Sequence, residues 1–584
     1  METGRKSISS FSRYEIDTKS YEGEKKRTGF MNKFRWNRKE DGSPKEIYNR
    51  SLYLSVLIFG VLGCARGYDE GNISGSIAQK SFKDFFGLSD TSKTEDERAN
   101  LKSNITAMVQ LGSIGGSLIA MFSVDGLGRV RALQCVCVIW IVGAIIQITS
   151  QNVGQLYAGR LIEGLAIGQT TTIGPAYLSE VAPKAIRGLC GCIFAGAVYL
   201  GVMLAYFANY GTALHISENN KQWIIPTSLK IPLAGIILIY SIFFCIESPR
   251  WFFKANKKEK GIQALCKLRN LPRDNNYMVG EVCDILEHNN KEKEVKEGVT
   301  WFSMVRDIIL DKSIAYRFFA VSAASQIIGQ WSGSNAITIY ANELFALSGI
   351  VGVETLKMTA ILGVCKFVGA YFTAFFLIDT LGRKRTLYAG ICIQFISTLY
   401  YAIFLTLVPQ AAKDGADLSG SQERASKGAV AALFFSGIGW VTGFNSIQYL
   451  LGSEIFPLKI RSFAQSCVMV LHFANQYGNS KALPKMMISM NKYGAFYFFS
   501  GVLGIALLWA WFFLPEVSGR SLESMDDVFQ LPWYMIGRKG ASLRPDHSEL
   551  NYVEHQECEN NCEEGPEDAN KDKETTEVIE GKKD

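Results

Sequence analysis

Asp69 stands inside an apolar run that extends from Leu52 to Ala78. A carboxylate there is costly unless it is paired or protonated. Such a group can take up and release a proton as its surroundings change, which makes Asp69 a candidate proton carrier. Arg66 lies three residues earlier, on the same helical face, and would hold Asp69 ionised. Its other possible task is to neutralise Glu70, or Glu163 in a later apolar segment, and so to serve assembly. A second constellation is Gln326, Gln330 and Ser334, spaced i, i+4 and i+8 on one helical face, with Asn335 after Gly333 where the helix can loosen. Amides that both donate and accept suit the hydroxyls of a polyol, and a polar stripe is tolerated in a membrane only against a cavity or another helix. The same amides could instead stitch helices together. Lys366 is an ammonium within an apolar segment, so it needs a counter-charge from the protein or from a carboxylate or phosphate on a solute.

Other chemistries are not indicated. The chain has 5 histidines, no nucleophile motif and no phosphate-cradling loop, which argues against an enzyme and against a primary pump. Most of the 13 cysteines sit in apolar stretches and read as small core or lipid-facing residues. Cys558 and Cys562 lack further ligands, so no metal is expected there. No cofactor and no nucleic acid is implied.

The elements that must position these residues are read from hydropathy. In 584 residues of which 48% are hydrophobic, about twelve apolar segments lie between Leu52 and Leu514, each long enough for a bilayer crossing. They form two groups of six. The expected architecture is therefore an all-α membrane protein with twelve transmembrane helices. Its expected divisions are a disordered basic tail (1–50), a six-helix half (51–247), a charged linker with short helices (248–315), a second half (316–515) and a mostly disordered acidic tail (516–584). The net charge of +6 hides this asymmetry between the ends. Lys/Arg-bearing loops fall on one side of the membrane, so both termini and the linker are expected in the cytoplasm, with the first membrane helix rather than a cleaved leader serving for targeting. The basic head would either meet anionic lipid or act as a solvated topogenic signal.

The halves repeat one another. Asp125-Gly-Leu-Gly-Arg129-Val-Arg131 after the second segment matches Asp379-Thr-Leu-Gly-Arg383-Lys-Arg385 after the eighth, and Ser179-Glu180 to Arg187 after the fourth matches Ser453-Glu454 to Arg461 after the tenth. Parallel repeats of this kind build transporters with a midplane site between the halves. The carboxylates and cations of these loops could latch the halves together when that side is closed, or simply fix topology and cap helix ends.

With Gly67-Tyr-Asp69, Gly159-Arg160, Pro175 to Pro183, Glu247-Ser-Pro-Arg250-Trp251, Gly333-Ser-Asn335 and Pro515 to Glu523 added in order, the chain resembles the sugar porter family of the major facilitator superfamily, most of all its fungal members. The resemblance implies the major facilitator fold, a sugar- or polyol-sized site at the midplane, Arg160 as partner of Asp69, and Glu247 and Arg250 in the cytoplasmic gate. It implies a secondary transporter, with a proton as co-substrate. The pocket departs from the family: its helix 5 Gln is Ala195, its Gln pair is Gly329-Gln330, and its helix 8 Asn is Phe367 or Lys366. Its helix 10 segment reads Asn445-Ser-Ile-Gln448-Tyr449 and its helix 11 segment His472-Phe-Ala-Asn475-Gln476. These departures keep two alternatives open: facilitated diffusion or symport of an organic acid, with Lys366 and Arg66 as anion partners, and a non-transporting nutrient sensor. The plasma membrane is the expected location, with the vacuolar membrane as the other choice. Oligomeric state stays open.

Overall fold

The computed structural model describes residues 44–183, 186–296, 300–412, 419–445, 447–448, 455–457, 459–516, 529, 531–532 and 535–537. Residues 1–43 and 538–584, together with Tyr449 and Glu454, lie outside the described residues, as do the side chains of Arg187 and Asp379. Every regular element among the described residues is helical.

The first half comprises α1 (Arg50–Ala78), α2 (Glu95–Leu127), α3 (Arg129–Ile148), α4 (Val153–Val181), α5 (Arg187–His215) and α6, which runs in two pieces, Lys221–Ser228 and Lys230–Phe244. In the second half, α7 is assembled from Lys312–Ala315, a wider π-type stretch Tyr316–Ala323, Ala324–Gln330, Ser334–Ile339 and Ala341–Leu347. It is followed by α8 (Val353–Phe372, continuing to Leu381), α9 (Arg383–Leu407), α10 (Gly420–Trp440, continuing to Asn445), α11 (Arg461–Ser489) and α12 (Tyr493–Phe512). Nine of these rods are long and apolar enough to cross a membrane by length and composition. The other three are α4, which buries Arg160 and Glu163, the broken α7, and α11, which carries His472, Asn475, Gln476 and Asn479. Interior polar groups come from these three rods and also from apolar ones, since α1 carries Arg66, Asp69 and Glu70, α6 carries Lys230 and α8 carries Lys366.

Local chemistry sets the helix ends. Asn49 Oδ1 accepts the Leu52 N–H at the start of α1, Asn152 caps α4, and Thr94 with Glu97 forms a capping box on α2. Small residues recur every four positions along α1, which lets the α5 backbone come so close that a Cβ at Gly67 would lie 1.7 Å from the Val198 carbonyl oxygen. Gly67 holds α1 tightly against α5 only two residues from Asp69.

The halves meet where α2 runs along α11 and α5 along α8. Four linker helices, Pro249–Lys254, Lys258–Arg269, Asn276–Lys296 and Trp301–Leu310, follow α6. The first three dock on the first half: Ile47, Phe253, Leu265 and Met278 share an apolar cluster, and Arg269 donates to the Val181 carbonyl at 3.0 Å. The fourth reaches the second half through Lys459 and Asp307 at 2.6 Å.

Candidate functional site

Two polar assemblies occupy the interior. The first is a charged cluster inside the first half. Asp69 from α1, Arg160 and Glu163 from α4 and Lys230 from α6 are all at most 1% exposed. Lys230 Nζ lies 2.5 Å from Asp69 Oδ1 and 2.9 Å from Glu163 Oε2, so one ammonium bridges both carboxylates. Arg160 approaches Asp69 at 3.7 Å and donates through Nε to the Ile105 carbonyl at 2.7 Å. Trp140 and Gln147 of α3 donate to Glu163. Two cations face two anions, the balance that a buried charge needs. Asp69 and Arg160 are therefore together, as the resemblance implied, but Lys230 is nearer to Asp69 than Arg160 is. Sequence reasoning passed over Lys230 because a lysine opening an apolar segment looks like one that reaches back to the interface. Arg66 turns away from this cluster. Its Nε meets Glu70 at 3.4 Å, so of its two possible acidic partners Glu70 is engaged, while Glu163 belongs to Lys230.

The second assembly is a cavity between the halves, lined by Arg66, Glu70, Ala195 and Tyr199 from the first half and by Gln330, Ser334, Asn335, Thr338, Trp440, Asn445, Gln448, His472 and Gln476 from the second. Of the residues singled out by sequence, Gln330, Asn335, Asn445, Gln448 and Gln476 line it. Gln326 stands behind, accepting from His472 Nδ1 at 2.8 Å. Arg66 Nη2 lies 3.4 Å from His472 Nε2, and since a guanidinium only donates, that nitrogen is assigned as the acceptor and Nδ1 as the protonated one. Asn475 is instead used on the helix flank, where it accepts from Trp331 Nε1 at 3.2 Å. The stripe read through Gln326, Gln330 and Ser334 is interrupted. The chain leaves its helix after Gln330 and re-enters it at Ser334 through Gly333, whose φ of +86° favours glycine. The freed carbonyls are met by side chains: Asn479 donates to Gln330 O at 3.0 Å and Gln394 to Ser332 O at 3.2 Å.

Lys366 lies behind Thr338, to whose hydroxyl it donates at 2.6 Å, and faces the Tyr199 ring at 6.0 Å. Among the described residues no carboxylate comes within ion-pair distance of it. Among the described residues, two basic groups, Arg66 in the lining and Lys366 behind it, thus accompany one carboxylate, Glu70. Two polar atoms of the lining have no partner among the described residues, the amide nitrogen of Asn445 as donor and the amide oxygen of Gln476 as acceptor, and outside the lining the same holds for Gln326 Nε2 and Asn479 Oδ1. Orphaned polar groups around a cavity mark where a ligand's hydroxyls would bond. Free space amounts to about 40 Å³, little more than one water's share and well below a ligand pocket of roughly 300 Å³ or more. A solute must enter from another state.

The two ends of the bundle differ. At the end away from the linker the halves are joined: Lys102 pairs with Glu343, Lys481 with Asn104, Thr106 with Tyr340 at 3.1 Å, and Asn342 with the Ser74 carbonyl at 3.0 Å. Outside these contacts lies a cleft of about 430 Å³ lined by Lys83, Arg98, Lys102, Lys492, Glu95 and Glu343. Burial pulls the Lys83 ammonium below the usual lysine range, with Glu343 opposing the shift.

At the linker end the ion pairs described run within one half. Arg129 meets Glu180 at 2.7 Å and Asp125 at 3.3 Å, Lys254 meets Asp125 at 2.8 Å, and Ser248 donates to Glu180 at 2.5 Å. Arg131 and Arg385 are exposed, Arg250 is half-buried, and Arg461 Nε donates to the Phe456 carbonyl at 3.2 Å. The repeat has a structural basis here. Gly128 and Gly382 precede α3 and α9 with φ near +93° and +87° and offer no capping side chain. Glu247, after α6, takes the Arg129 and Val130 N–H groups at 2.9 and 3.1 Å, and Glu516, after α12, takes those of Arg383 and Lys384 at 2.9 and 3.1 Å. Burial raises the Glu247 carboxyl above its ordinary range, while these N–H groups pull it back. Glu516 was visible in the sequence only as the acid after Pro515.

Comparison with known proteins agrees with this architecture. The family model described as Sugar (and other) transporter matches residues 55–529. A probable quinate permease of Aspergillus fumigatus is 30% identical over 523 residues, 87% of this chain and 93% of that protein. The quinate permease of Emericella nidulans is 30% identical over 500 residues, 83% and 90% of the two chains. Among solved structures, the proton:xylose symporter XylE bound to 6-bromo-6-deoxy-D-glucose superposes with a TM-score of 0.66 at 21% identity, over 82% of this chain and 99% of that one. A partially occluded inward-open XylE from E. coli gives 0.66 at 20% identity, over 81% and 100%. These two are likenesses of fold. With a family model spanning most of the chain and twelve helices in two repeated halves around a polar cavity, the chain belongs to the Sugar (and other) transporter family: it is an integral membrane secondary transporter of the major facilitator fold, and not an enzyme.

Proposed function

We propose that this transporter carries a polyhydroxylated monocarboxylate, a solute of the quinate class, by alternating access through the cavity between its halves. The observation that carries the reading is the make-up of that cavity: amides with unmatched donors and acceptors suit hydroxyls, and among the described residues the basic groups Arg66 and Lys366 outnumber the carboxylate Glu70 by one. That excess complements one carboxylate. The polyol and organic-acid readings of the sequence thus converge on one solute, and the similarity to quinate permeases supports it. Arg66, Gln330, Asn335, Asn445, Gln448 and Gln476 would contact the solute, with Lys366 acting through or beside Thr338. Gln326, accepting from His472, would set the orientation of that ring and through it of Arg66.

A proton is the co-substrate in this reading, carried by the Asp69 cluster, whose carboxylates lie in the half that must move relative to the other. The plasma membrane is the location in this reading, and the basic loops support an orientation with termini and linker in the cytoplasm. The linker end is then the cytoplasmic face, and the described state is closed to the outside.

Uptake of labelled quinate, myo-inositol, glucose and a dicarboxylate by cells lacking their own carriers tests the reading. Quinate is expected to be taken up and to compete best. Lys366→Met should cut its advantage over myo-inositol about tenfold or more, as a lost hydrogen bond to a charged group would. Preference for a neutral sugar, unchanged in Lys366→Met, would contradict it.

A further inference from the structure

The charged cluster contains one group more than a carboxylate–guanidinium pair needs. Lys230 is fully buried, and its ammonium is held by three side chains from three helices: Asp69 of α1 at 2.5 Å, Glu163 of α4 at 2.9 Å and Gln147 of α3 at 3.4 Å. It is also the first residue after the interruption of α6, whose preceding piece contains Pro226. A proline removes a helix hydrogen bond and leaves a place where the axis can bend. The Pro226 carbonyl is tied to α1 by the Tyr68 hydroxyl at 2.9 Å, so bending at Leu229 would move Lys230 relative to a piece of α6 that stays with α1. The titratable and charged groups facing Lys230 are Asp69 from α1 and Glu163 and Arg160 from α4. From α3 come only the neutral Trp140 and Gln147, and the Tyr68 phenol lies beside the hinge.

We propose that Lys230 is a further coupling residue, an ammonium that keeps Asp69 and Glu163 ionised together and admits a proton only when bending of α6 withdraws it from one of them. The inference rests on the proton-coupled reading above. While Lys230 bridges the pair, the cluster is neutral, and an added proton would leave a buried net positive charge. Once the ammonium is drawn to one carboxylate, the other is short of a counter-charge. It takes a proton from a hydronium ion at the open side, one O–H bond breaking there as one forms on the carboxylate, and passes it to a water molecule on the other side by the reverse exchange when Lys230 returns. Lys230 is thus a positioning residue for the proton, and it ties protonation to the shape of α6.

The experiment measures labelled quinate uptake and accompanying proton movement in proteoliposomes as external pH is varied, for wild type, Lys230→Met, Lys230→Arg and the double variant Lys230→Met/Glu163→Gln. The double variant removes one anion with the cation and guards against failure to fold from two repelling carboxylates. Removing the ammonium should move the pH of half-maximal uptake upward by about one unit or more in whichever of the Met variants folds, because an opposing charge within contact distance no longer favours the ionised acid. Lys230→Arg should stay near the wild-type midpoint. A midpoint unmoved in a folded, quinate-binding Met variant, with proton movement present in wild type, overturns the role of Lys230 alone. Quinate uptake by wild type without pH dependence or proton movement overturns it together with the proton-coupled reading.

Discussion

At the scale of single residues, the site is built from side chains whose hydrogen-bonding capacity exceeds what the protein satisfies. Asn445 accepts from the Tyr199 hydroxyl at 3.3 Å through its oxygen, while its nitrogen has no partner among the described residues. Gln476 donates to Glu70 at 3.5 Å and leaves its oxygen unmatched. Each is expected to bond the solute, so Asn445→Ala and Gln476→Ala should each weaken quinate binding by about 1–3 kcal/mol without lowering the amount of folded protein. Isothermal titration on purified variants reads this directly, and unchanged affinity with reduced thermal stability would make them packing residues. Much of this layer was legible from the sequence. An acid, an arginine or an amide in an apolar segment is conspicuous because it is costly there, which is how Asp69, Glu163, Lys366, Gln330 and Asn335 stood out. Direction was not legible: periodicity puts a residue on a face but does not say whether Arg66 turns to Asp69 or to Glu70. Nor does it show that Asn475 serves Trp331 while Gln476, its neighbour, lines the cavity.

Among the elements, α3 and α9 show how the repeat works. Each begins at a glycine that cannot cap it, and each receives a carboxylate from the far end of its own half; a Cβ at Gly128 would sit 2.6 Å from Glu247 Oε2, and one at Gly382 2.7 Å from Glu516 Oε2. Glu247→Gln or Glu516→Gln replaces two acceptor oxygens by one and places an amide against N–H donors, so either should cost about 1–3 kcal/mol of stability, seen as earlier thermal unfolding in detergent. Equal stability would mean water caps these helices. The linker offers a pH-dependent case. The bond from Lys459 holds the Asp307 carboxyl below its ordinary value, so the tie between the fourth linker helix and the second half is complete at neutral pH and is lost as pH falls through that lowered value. Proteolysis of the linker should therefore accelerate toward acid pH in wild type, whereas in Asp307→Asn it should be fast already at neutral pH. The twin loop motifs were evident in the sequence. Their helix-capping acids were not, because Glu247 lies 118 residues from Arg129 and Glu516 lies 133 from Arg383, and only folding makes such pairs adjacent.

For the whole molecule, hydropathy and internal repetition sufficed to read twelve helices in two halves, since a bilayer crossing imposes a length and duplication preserves order. The break in α7 and the division of α6 at Leu229 were beyond that reading: they depend on which backbone groups the neighbouring helices can satisfy. The same holds for the state. Contacts such as Lys102 with Glu343 close the end away from the linker, and the central cavity holds only about 40 Å³, so transport requires at least one further arrangement in which that end opens. Arg98 and Lys492 line the cleft at the closed end from opposite halves, and Arg131 and Arg385 are exposed at the linker end. Spin labels at Arg98 and Lys492 in one sample, and at Arg131 and Arg385 in another, allow both end-to-end separations to be measured with and without quinate in lipid. Alternating access about the central cavity predicts that quinate shifts the two distance distributions in opposite directions, one pair lengthening as the other shortens. Distributions that stay fixed with quinate bound, or that lengthen together, would contradict it.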